Sequence, residues 1–395
     1  MSALSIRDKL GKLSAKTEAA APVRREDAQW ERLGFATYHN HFGEFLVREE
    51  PVTDEVLFHL LPGQVWAKVG KSHHLAEIDM NRMCFLDLET TGLNLGAGGF
   101  AFAIGCAYIS PEGSRLRQYF LRNHTDERAA LLDLTSFLEQ FRGLVTYNGR
   151  SFDWPLLCDR FNFNRMKYPA LGELHLDLLH AARRIWRGVL PSFSLKEVEF
   201  EILGKERIDD IPGYLIPAAY LNFLRSGKTT EIEQILEHNF NDIVSLQLMA
   251  HRMGSVFLGV HQCEHHAEIA NAADIFAQLG HIEDAVRYLE HLIAQENCPG
   301  QVFSQLARIH KKQGNHRLTV DLWWEAADRD EMAIEPWIEL AKHFEHREKN
   351  HETARECTIQ AIRLRREHGH AGRYADDRAL QKRLQRLENK IKTSR

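Results

Sequence analysis

The short apolar segment FLDLETTGL contains two carboxylates. Their spacing is suited to binding a metal ion. Asp87 and Glu89 are two residues apart, and the apolar run Met83–Leu88 predicts a β-strand. Alternate residues of a strand point to the same face, so we expect both carboxylates on one side. Neighbouring negative charges resist joint ionisation unless a cation lies between them, and Mg²⁺ prefers such oxygen ligands. This segment alone fits a metal site and a pair of surface acids equally well.

Two further acids and a histidine extend this set. Asp153 follows a second predicted strand, Leu144–Tyr147, at the sheet edge where the first strand also ends. His238 and Asp242 are four residues apart in a predicted long helix, which puts them on one face. Singly, Asp153 fits a helix N-terminal acid and His238 a surface histidine. Together the acids fit two-metal hydrolysis, in which carboxylates hold two cations about 3.5–4 Å apart.

Three segments resemble, in order, the motifs of the DEDD exonuclease superfamily, which has a ribonuclease H-like fold. They are FLDLETTGL, YNGRSFDWPLL and HNFNDIVSL. More narrowly, residues 83–257 resemble the YprB-type ribonuclease H-like domain of bacteria, including the segment 207–225 between the second and third motifs. The resemblance implies an α/β domain with a mixed five-stranded sheet flanked by helices. It also implies 3′→5′ exonuclease action on single-stranded DNA or RNA.

The resemblance also assigns roles to individual residues. The implied ligands of two divalent cations, Mg²⁺ or Mn²⁺, are Asp87, Glu89, Asp153 and Asp242. One branch of the superfamily has a tyrosine four residues before the last aspartate, and the other has a histidine five residues before it. This chain has His238 four residues before and Glu237 five residues before. Histidine titrates near neutral pH, so we expect His238 to orient or deprotonate the attacking water.

Three residues near these acids are candidates for contact with nucleic acid: Thr90, Asn148 and Arg150. Asn148 and Arg150 suit contacts to backbone phosphates. For Asn148, a purely conformational role in a turn fits equally well. Asp177 begins a predicted helix, and we expect it to be structural.

The elements that position these residues follow from the apolar patterns. Two more strands are expected at Phe100–Ile109 and Arg115–Leu121. Helices are expected, from apolar residues at helical spacing, at 126–141, 152–161, 175–186, 194–203, 217–224 and 231–257. The sequence therefore predicts a strand meander followed by a helix, a further strand and a helical run.

The segment after residue 264 has a period of 34 residues. Ala273, Ala307 and Ala341 are spaced at this interval, as are Gly280 and Gly314. Such a period with helix-turn-helix patterning is typical of tetratricopeptide repeats, which present a concave surface to other proteins. We therefore expect an all-α domain of tetratricopeptide-like repeats that binds an unidentified protein partner.

The expected organisation has five parts. They are a flexible lead-in (1–40), a small extension packed on the next domain (41–82), the ribonuclease H-like domain (83–260), the repeats (265–365) and a basic C-terminal helix (366–395). That last helix fits a cap on the repeats better than a nucleic-acid contact.

The composition is ordinary for a soluble protein, with 395 residues, a net charge of −5 and 27% charged residues. The longest apolar run, Phe100–Ile109, is too short to cross a bilayer. Six scattered cysteines without a C-x-x-C motif, and a polar N-terminus, fit a cytoplasmic protein, and the family resemblance implies a bacterial one. The sequence therefore favours a metal-dependent nuclease. The alternative is an adaptor that binds nucleic acid without cutting it.

Overall fold

The computed structural model describes residues 27–53, 58, 61–92, 99–171, 174–368 and 377–393. Residues 1–26 of the expected lead-in lie outside these ranges, as do residues 369–376 and 394–395 of the expected C-terminal helix. The described residues divide into two compact units. The first unit contains residues 77–180, 194–251 and those before 61, and the second contains residues 61–76, 181–193 and those from 252 onward.

A mixed seven-stranded sheet lies at the centre of the first unit. Its strands are β1 Ala36–Asn40, β2 Gly43–Pro51, β3 Met83–Thr90, β4 Ala101–Ser110, β5 Gly113–Phe120, β6 Gly143–Thr146 and β7 Leu174–Asp177. Their order across the sheet is β1-β2-β5-β4-β3-β6-β7. Neighbours from β1 to β3 are antiparallel, whereas β3, β6 and β7 run parallel. The carboxyl ends of these three parallel strands therefore meet at one edge, where α/β proteins commonly bind ligands.

The sheet has seven strands, so the expectation of five was wrong. Four of the seven were located from the sequence, and two of the others form the hairpin β1–β2 before residue 83. Strand β2 pairs with β5, whose outer edge would otherwise present unpaired backbone groups. Phe45, Leu46 and Val47 of β2 are buried, so this short apolar run belongs to the core of the unit.

Strand β7 was also missed, because a helix was expected from His175. The backbone of Leu174–Asp177 instead pairs with β6, and the helix begins at Leu178. Four residues are too few for periodicity to separate a buried strand from the start of a helix, so pairing with a neighbour decides the outcome.

The helices account for most of the remaining chain. They are α1 Asp27–Arg32, α2 Gln64–Gly70, α3 Glu127–Leu138, α4 Asp153–Phe163, α5 Leu178–Ile185, α6 Leu195–Leu203, α7 Ile216–Ser226, α8 Thr230–Ser255, α9 His266–Gln278, α10 Ile282–Ile293, α11 Gly300–Gln313, α12 His316–Arg329, α13 Ile334–His343, α14 His351–His368 and α15 Asp377–Thr393. Local sequence explains the limits of α6: Ser194 accepts a hydrogen bond from the Glu197 N–H, and Gly204 adopts a left-handed conformation after the last turn.

The second unit is rich in helices from α9 to α15. Ala273, Ala307 and Ala341, the alanines at 34-residue spacing, are fully buried. Small side chains at such positions let neighbouring helices approach closely. The six cysteines are free thiols, and no helix among the described residues is both long and apolar enough to cross a membrane.

Candidate active site

Strand β3 places two carboxylates at its carboxyl end. The run from Met83 to Leu86 is fully buried, Asp87 is partly buried, and Glu89 is 8% exposed. Asn239 of α8 donates a hydrogen bond from its amide to Asp87 Oδ2 over 2.8 Å. Asp87 pairs with Gly105 of β4, where an added Cβ would lie 2.3 Å from Asn239 Oδ1. A glycine is therefore required for this helix to reach the strand.

The turn after β6 delivers the third carboxylate. Asp153 occupies the first turn of α4, and a Cβ on Gly149 would lie 2.7 Å from its Oδ2. Asn148 has a left-handed backbone, with a φ of 64°. The Asp177 carboxylate accepts hydrogen bonds from the N–H groups of Asn148 and Arg150, over 2.9 and 3.2 Å. Asp177 therefore fixes this turn, in agreement with a structural role.

Helix α8 supplies the fourth carboxylate and the histidine, one helical turn apart. His238 Nε2 lies 3.7 Å from Asp242 Oδ2 and 3.9 Å from Glu89 Oε1. Its other ring nitrogen, Nδ1, lies 2.6 Å from Asp210 Oδ1. The imidazole therefore bridges the acids at the strand end and a fifth acid from the loop after α6.

A buried arginine balances part of this negative charge. Arg207 Nη2 forms an ion pair with Asp242 Oδ1 over 2.5 Å, although this oxygen has no ideally oriented hydrogen-bond donor. The same guanidinium donates to both carboxylate oxygens of Glu199, which is 1% exposed. Glu199 thus holds Arg207 beside Asp242.

The electrostatics show how strongly the acids are crowded. Burial, followed by the charges of Asp242, Asp153 and Glu89, raises the pKa of Asp87 well above its usual value. Burial and the same neighbours, Asp242 and Asp153, also raise the pKa of Glu89. For Asp153, burial together with the charge of Asp177 raises the pKa to about 7. Because the charges of Asp153 and Asp242 raise the pKa values of both Asp87 and Glu89, the four carboxylates from three distant segments form one cluster.

The structure brings together the predicted site residues Asp87, Glu89, Asp153, His238 and Asp242. Of the predicted nucleic-acid contacts, Thr90 donates its hydroxyl to the Gly92 carbonyl, and Arg150 is exposed on the turn before Asp153.

Sequence reasoning missed four residues that surround these side chains: Asn239, Arg207, Asp210 and Glu199. The segment 207–225 resembles the family. However, the spacing of its charged residues did not indicate which side chains lie beside the carboxylates and His238.

The donor set fits divalent cations by its chemistry, because carboxylate oxygens are their preferred ligands and Arg207 and His238 offset only part of the negative charge of the four crowded acids. However, no group of three or more His, Cys, Asp or Glu side chains within the described ranges has metal-binding geometry already assembled. The carboxylate oxygen of Asp242 that faces Arg207 would have to leave this ion pair to bind a metal.

Comparisons with known proteins agree with this fold. A family model described as the RNase_H superfamily matches residues 84–254. The chain is 33% identical over 305 residues to the "Uncharacterized protein YprB" of Bacillus subtilis (strain 168), covering 75% of this chain and 74% of that protein.

Among solved structures, the chain is similar to the family B DNA polymerase of Pyrobaculum calidifontis, with 14% identity and a TM-score of 0.34. That match covers 49% of this chain and 29% of the polymerase, and it carries no argument about function. Proteins of the RNase H superfamily generally use divalent metal ions. The identity and coverage shared with the Bacillus subtilis protein show that this chain, whose residues 84–254 match the RNase H superfamily, belongs to the YprB family.

Proposed function

We propose that the protein is a metal-dependent nuclease that removes nucleotides from the 3′ ends of single strands. The observation that carries this proposal is the clustering of Asp87, Glu89, Asp153 and Asp242 beside His238. A buried cluster of like charges is costly to fold unless cations are bound there. The 3′→5′ direction comes from the resemblance to DEDD exonucleases.

The residues have distinct roles in the proposed reaction. The four carboxylates would hold two divalent cations, Mg²⁺ or Mn²⁺, and these would polarise the attacking water and the scissile phosphate. His238 Nε2, which faces the acids, accepts a proton as water attacks phosphorus. The P–O3′ bond breaks, and the leaving 3′ oxygen takes a proton from solvent. The products are a 5′-mononucleotide and a strand with a new 3′-hydroxyl.

Three residues near the cluster are proposed to contact the substrate strand. Arg150 is exposed on the turn before Asp153 and is suited to a backbone phosphate. Thr90 ends β3 and Asn148 follows β6. We propose that the single-stranded nucleic acid enters the site at these two positions. Asn148 also has a conformational role, because its left-handed backbone shapes the turn.

A second candidate function is a non-catalytic adaptor that binds nucleic acid. The ion pair between Arg207 and Asp242 favours it, because a guanidinium occupies an oxygen that a cation would need. We favour the nuclease, since the pKa values of Asp87, Glu89 and Asp153 stay raised despite this arginine, which leaves negative charge for cations to offset.

We further propose that residues 83–260 form the nuclease domain and residues 265–365 form tetratricopeptide-like repeats that bind a protein partner. The buried alanines at 34-residue spacing support this assignment. The free cysteines support a cytoplasmic location.

Degradation of end-labelled oligonucleotides tests the proposed function. Single-stranded DNA and RNA, labelled at the 5′ or 3′ end, are incubated with Mg²⁺ or Mn²⁺ and wild-type protein, Asp87→Asn or Glu237→Gln. Glu237 is an exposed acid on α8, so its variant is a matched control. We expect wild type and the control to shorten the oligonucleotides stepwise from the 3′ end. The rate of shortening should be at least 100-fold lower in Asp87→Asn. Binding of the strands without metal-dependent cleavage would support the adaptor instead.

A further inference from the structure

The two ring nitrogens of His238 have different surroundings. Nε2 faces the carboxylates of Glu89 and Asp242, at 3.9 and 3.7 Å. Nδ1 lies 2.6 Å from Asp210 Oδ1, on the opposite side of the ring. An ionised carboxylate only accepts hydrogen bonds, so Nδ1 carries the proton. In the neutral imidazole, the lone pair is then on Nε2 and faces the carboxylate cluster.

Arg207 does not compete for this nitrogen. Its Nη1 lies 3.4 Å from His238 Nδ1, well beyond the 2.6 Å that separates Nδ1 from Asp210. At that distance a guanidinium hydrogen bond is weak. The Asp210 carboxylate therefore determines the tautomer of the ring.

Asp210 is itself held in place by two cations. Its Oδ2 lies 2.8 Å from Lys196 Nζ and 3.4 Å from Arg207 Nη1, which leaves Oδ1 for the histidine. The side chains of Asp210 and His238 are 7% and 10% exposed, so water has little access to the hydrogen bond between them. The pair is therefore oriented before any substrate binds.

We propose that Asp210 is a positioning residue that keeps His238 in the Nδ1–H tautomer with Nε2 aimed at the attacking water. This inference rests on the proposed nuclease function and deepens it. When Nε2 accepts the proton from water, the positive charge that develops on the ring lies next to the Asp210 carboxylate, which stabilises it. Hydrogen bonds of this kind to a histidine fix its orientation and its tautomer.

Kinetics of Asp210→Ala test this role on the full-length protein. The matched control is Asp209→Asn, because Asp209 is exposed with a φ of 57°, a conformation that asparagine tolerates. We expect kcat for single-stranded cleavage to fall roughly 10- to 100-fold in Asp210→Ala, with KM and Mn²⁺ affinity within twofold of wild type. The control should retain full activity.

A double-mutant comparison separates positioning from a merely structural role. In a His238→Ala background, adding Asp210→Ala should cause no further loss of kcat, since Asp210 acts only through the His238 ring. An additional loss in this background, or a parallel change in KM and Mn²⁺ affinity, would overturn the proposal. Circular dichroism and the melting temperature establish that each variant is folded.

The tautomer can be measured whether or not the protein cleaves nucleic acid. Long-range ¹H–¹⁵N correlation spectra of ¹⁵N-histidine-labelled protein, recorded at pH 8.5 with Mg²⁺, report the protonated nitrogen, and the His238→Gln spectrum assigns the signal. We expect Nδ1–H in the wild type and Nε2–H in Asp210→Ala. An Nε2–H or doubly protonated ring in the wild type would overturn the positioning role. A wild type without cleavage but with the expected tautomers would instead refute only the nuclease function.

Discussion

The negative charge of Asp87 is unfavourable for folding but is needed for the proposed activity. Its pKa is raised by burial and by three neighbouring acids, and its main compensation is the amide of Asn239. At neutral pH the charged form is therefore unfavourable in the absence of cations. A natural chain keeps such a residue when the charge is needed for function, because stability alone would favour a neutral side chain.

The variant Asp87→Asn tests this conflict directly. Asparagine keeps the size of the side chain and an oxygen that accepts from Asn239, but it removes the charge. In metal-free protein at pH 8, we expect the free energy of unfolding to rise by about 1–3 kcal/mol, the usual cost of a buried polar group without a full set of partners. Urea denaturation with EDTA measures the difference.

The same experiment on Glu237→Gln provides the control, since this exposed acid should change the unfolding free energy by less than about 0.5 kcal/mol. A decrease in the metal-free stability of Asp87→Asn would mean that the acids of the cluster do not repel one another as described.

At the scale of elements, the site depends on how closely α8 approaches the sheet. Asn239 connects three elements: its amide donates to Asp87 on β3, and its oxygen accepts from Gln118 on β5 over 2.8 Å. This contact exists because Gly105 on the intervening strand β4 has no side chain. The position of one helix therefore depends on a glycine that takes no part in chemistry.

We expect Gly105→Ala to disturb the site from a distance. The new methyl group would collide with Asn239, which must then release Asp87. Overpacking of this kind costs about 1–3 kcal/mol of stability, and we expect Mn²⁺ affinity to fall at least fivefold. Calorimetric Mn²⁺ titration and thermal melting measure the two effects.

Gly213→Ala is a suitable control for that experiment, because an added Cβ there meets no described atom within 4 Å and the backbone φ is not positive. Unchanged metal affinity in Gly105→Ala would show that Asn239 does not orient Asp87.

Features of the fold and the site that depend on local sequence patterns could be predicted from the sequence. Features that depend on contacts between distant segments could not. The ribonuclease H-like fold could be predicted because its three motifs lie on strongly patterned elements. The hairpin β1–β2 could not, since only its pairing with β5 makes it part of the sheet. Likewise, the inward orientation of Arg207 and Asp210 depends on Glu199, Lys196 and His238, which are distant in sequence or lie on other elements.

At the scale of the whole molecule, a buried glutamate organises the end of the second unit. Glu345 has no exposed surface and accepts hydrogen bonds from Arg383, Arg386 and Lys390 of α15. Burial alone would raise its pKa, but these three cations outweigh burial and lower the pKa from 4.5 to about 2. The last helix is therefore attached to the unit by a charged contact that requires an ionised carboxylate.

This contact predicts a pH-dependent attachment of α15. Because the folded pKa is lowered, the stabilisation is present above about pH 4.5 and is lost as the pH falls towards 2. At pH 7, Glu345→Gln should accelerate hydrogen exchange of the α15 amides roughly 10- to 100-fold, the equivalent of about 1.4–2.8 kcal/mol. The ratio to wild type should fall as the pH drops below about 4.5 and approach one only below about pH 2.

Glu388→Gln on the same helix is the control, since Glu388 is 44% exposed and its ion pair with Arg355 spans 3.8 Å. If the two variants exchange α15 amides at the same rate, Glu345 does not anchor the helix.

The central claim is that the four clustered carboxylates make the protein a metal-dependent phosphodiesterase. The most direct test measures the release of 5′-mononucleotides from a single-stranded oligonucleotide as the Mn²⁺ concentration rises, in wild type, Asp242→Asn and Glu237→Gln. Our account predicts saturable, Mn²⁺-dependent release by wild type and Glu237→Gln, and a rate at least 100-fold lower in Asp242→Asn. Equal rates in all three proteins, or no release by wild type at any Mn²⁺ concentration, would contradict it.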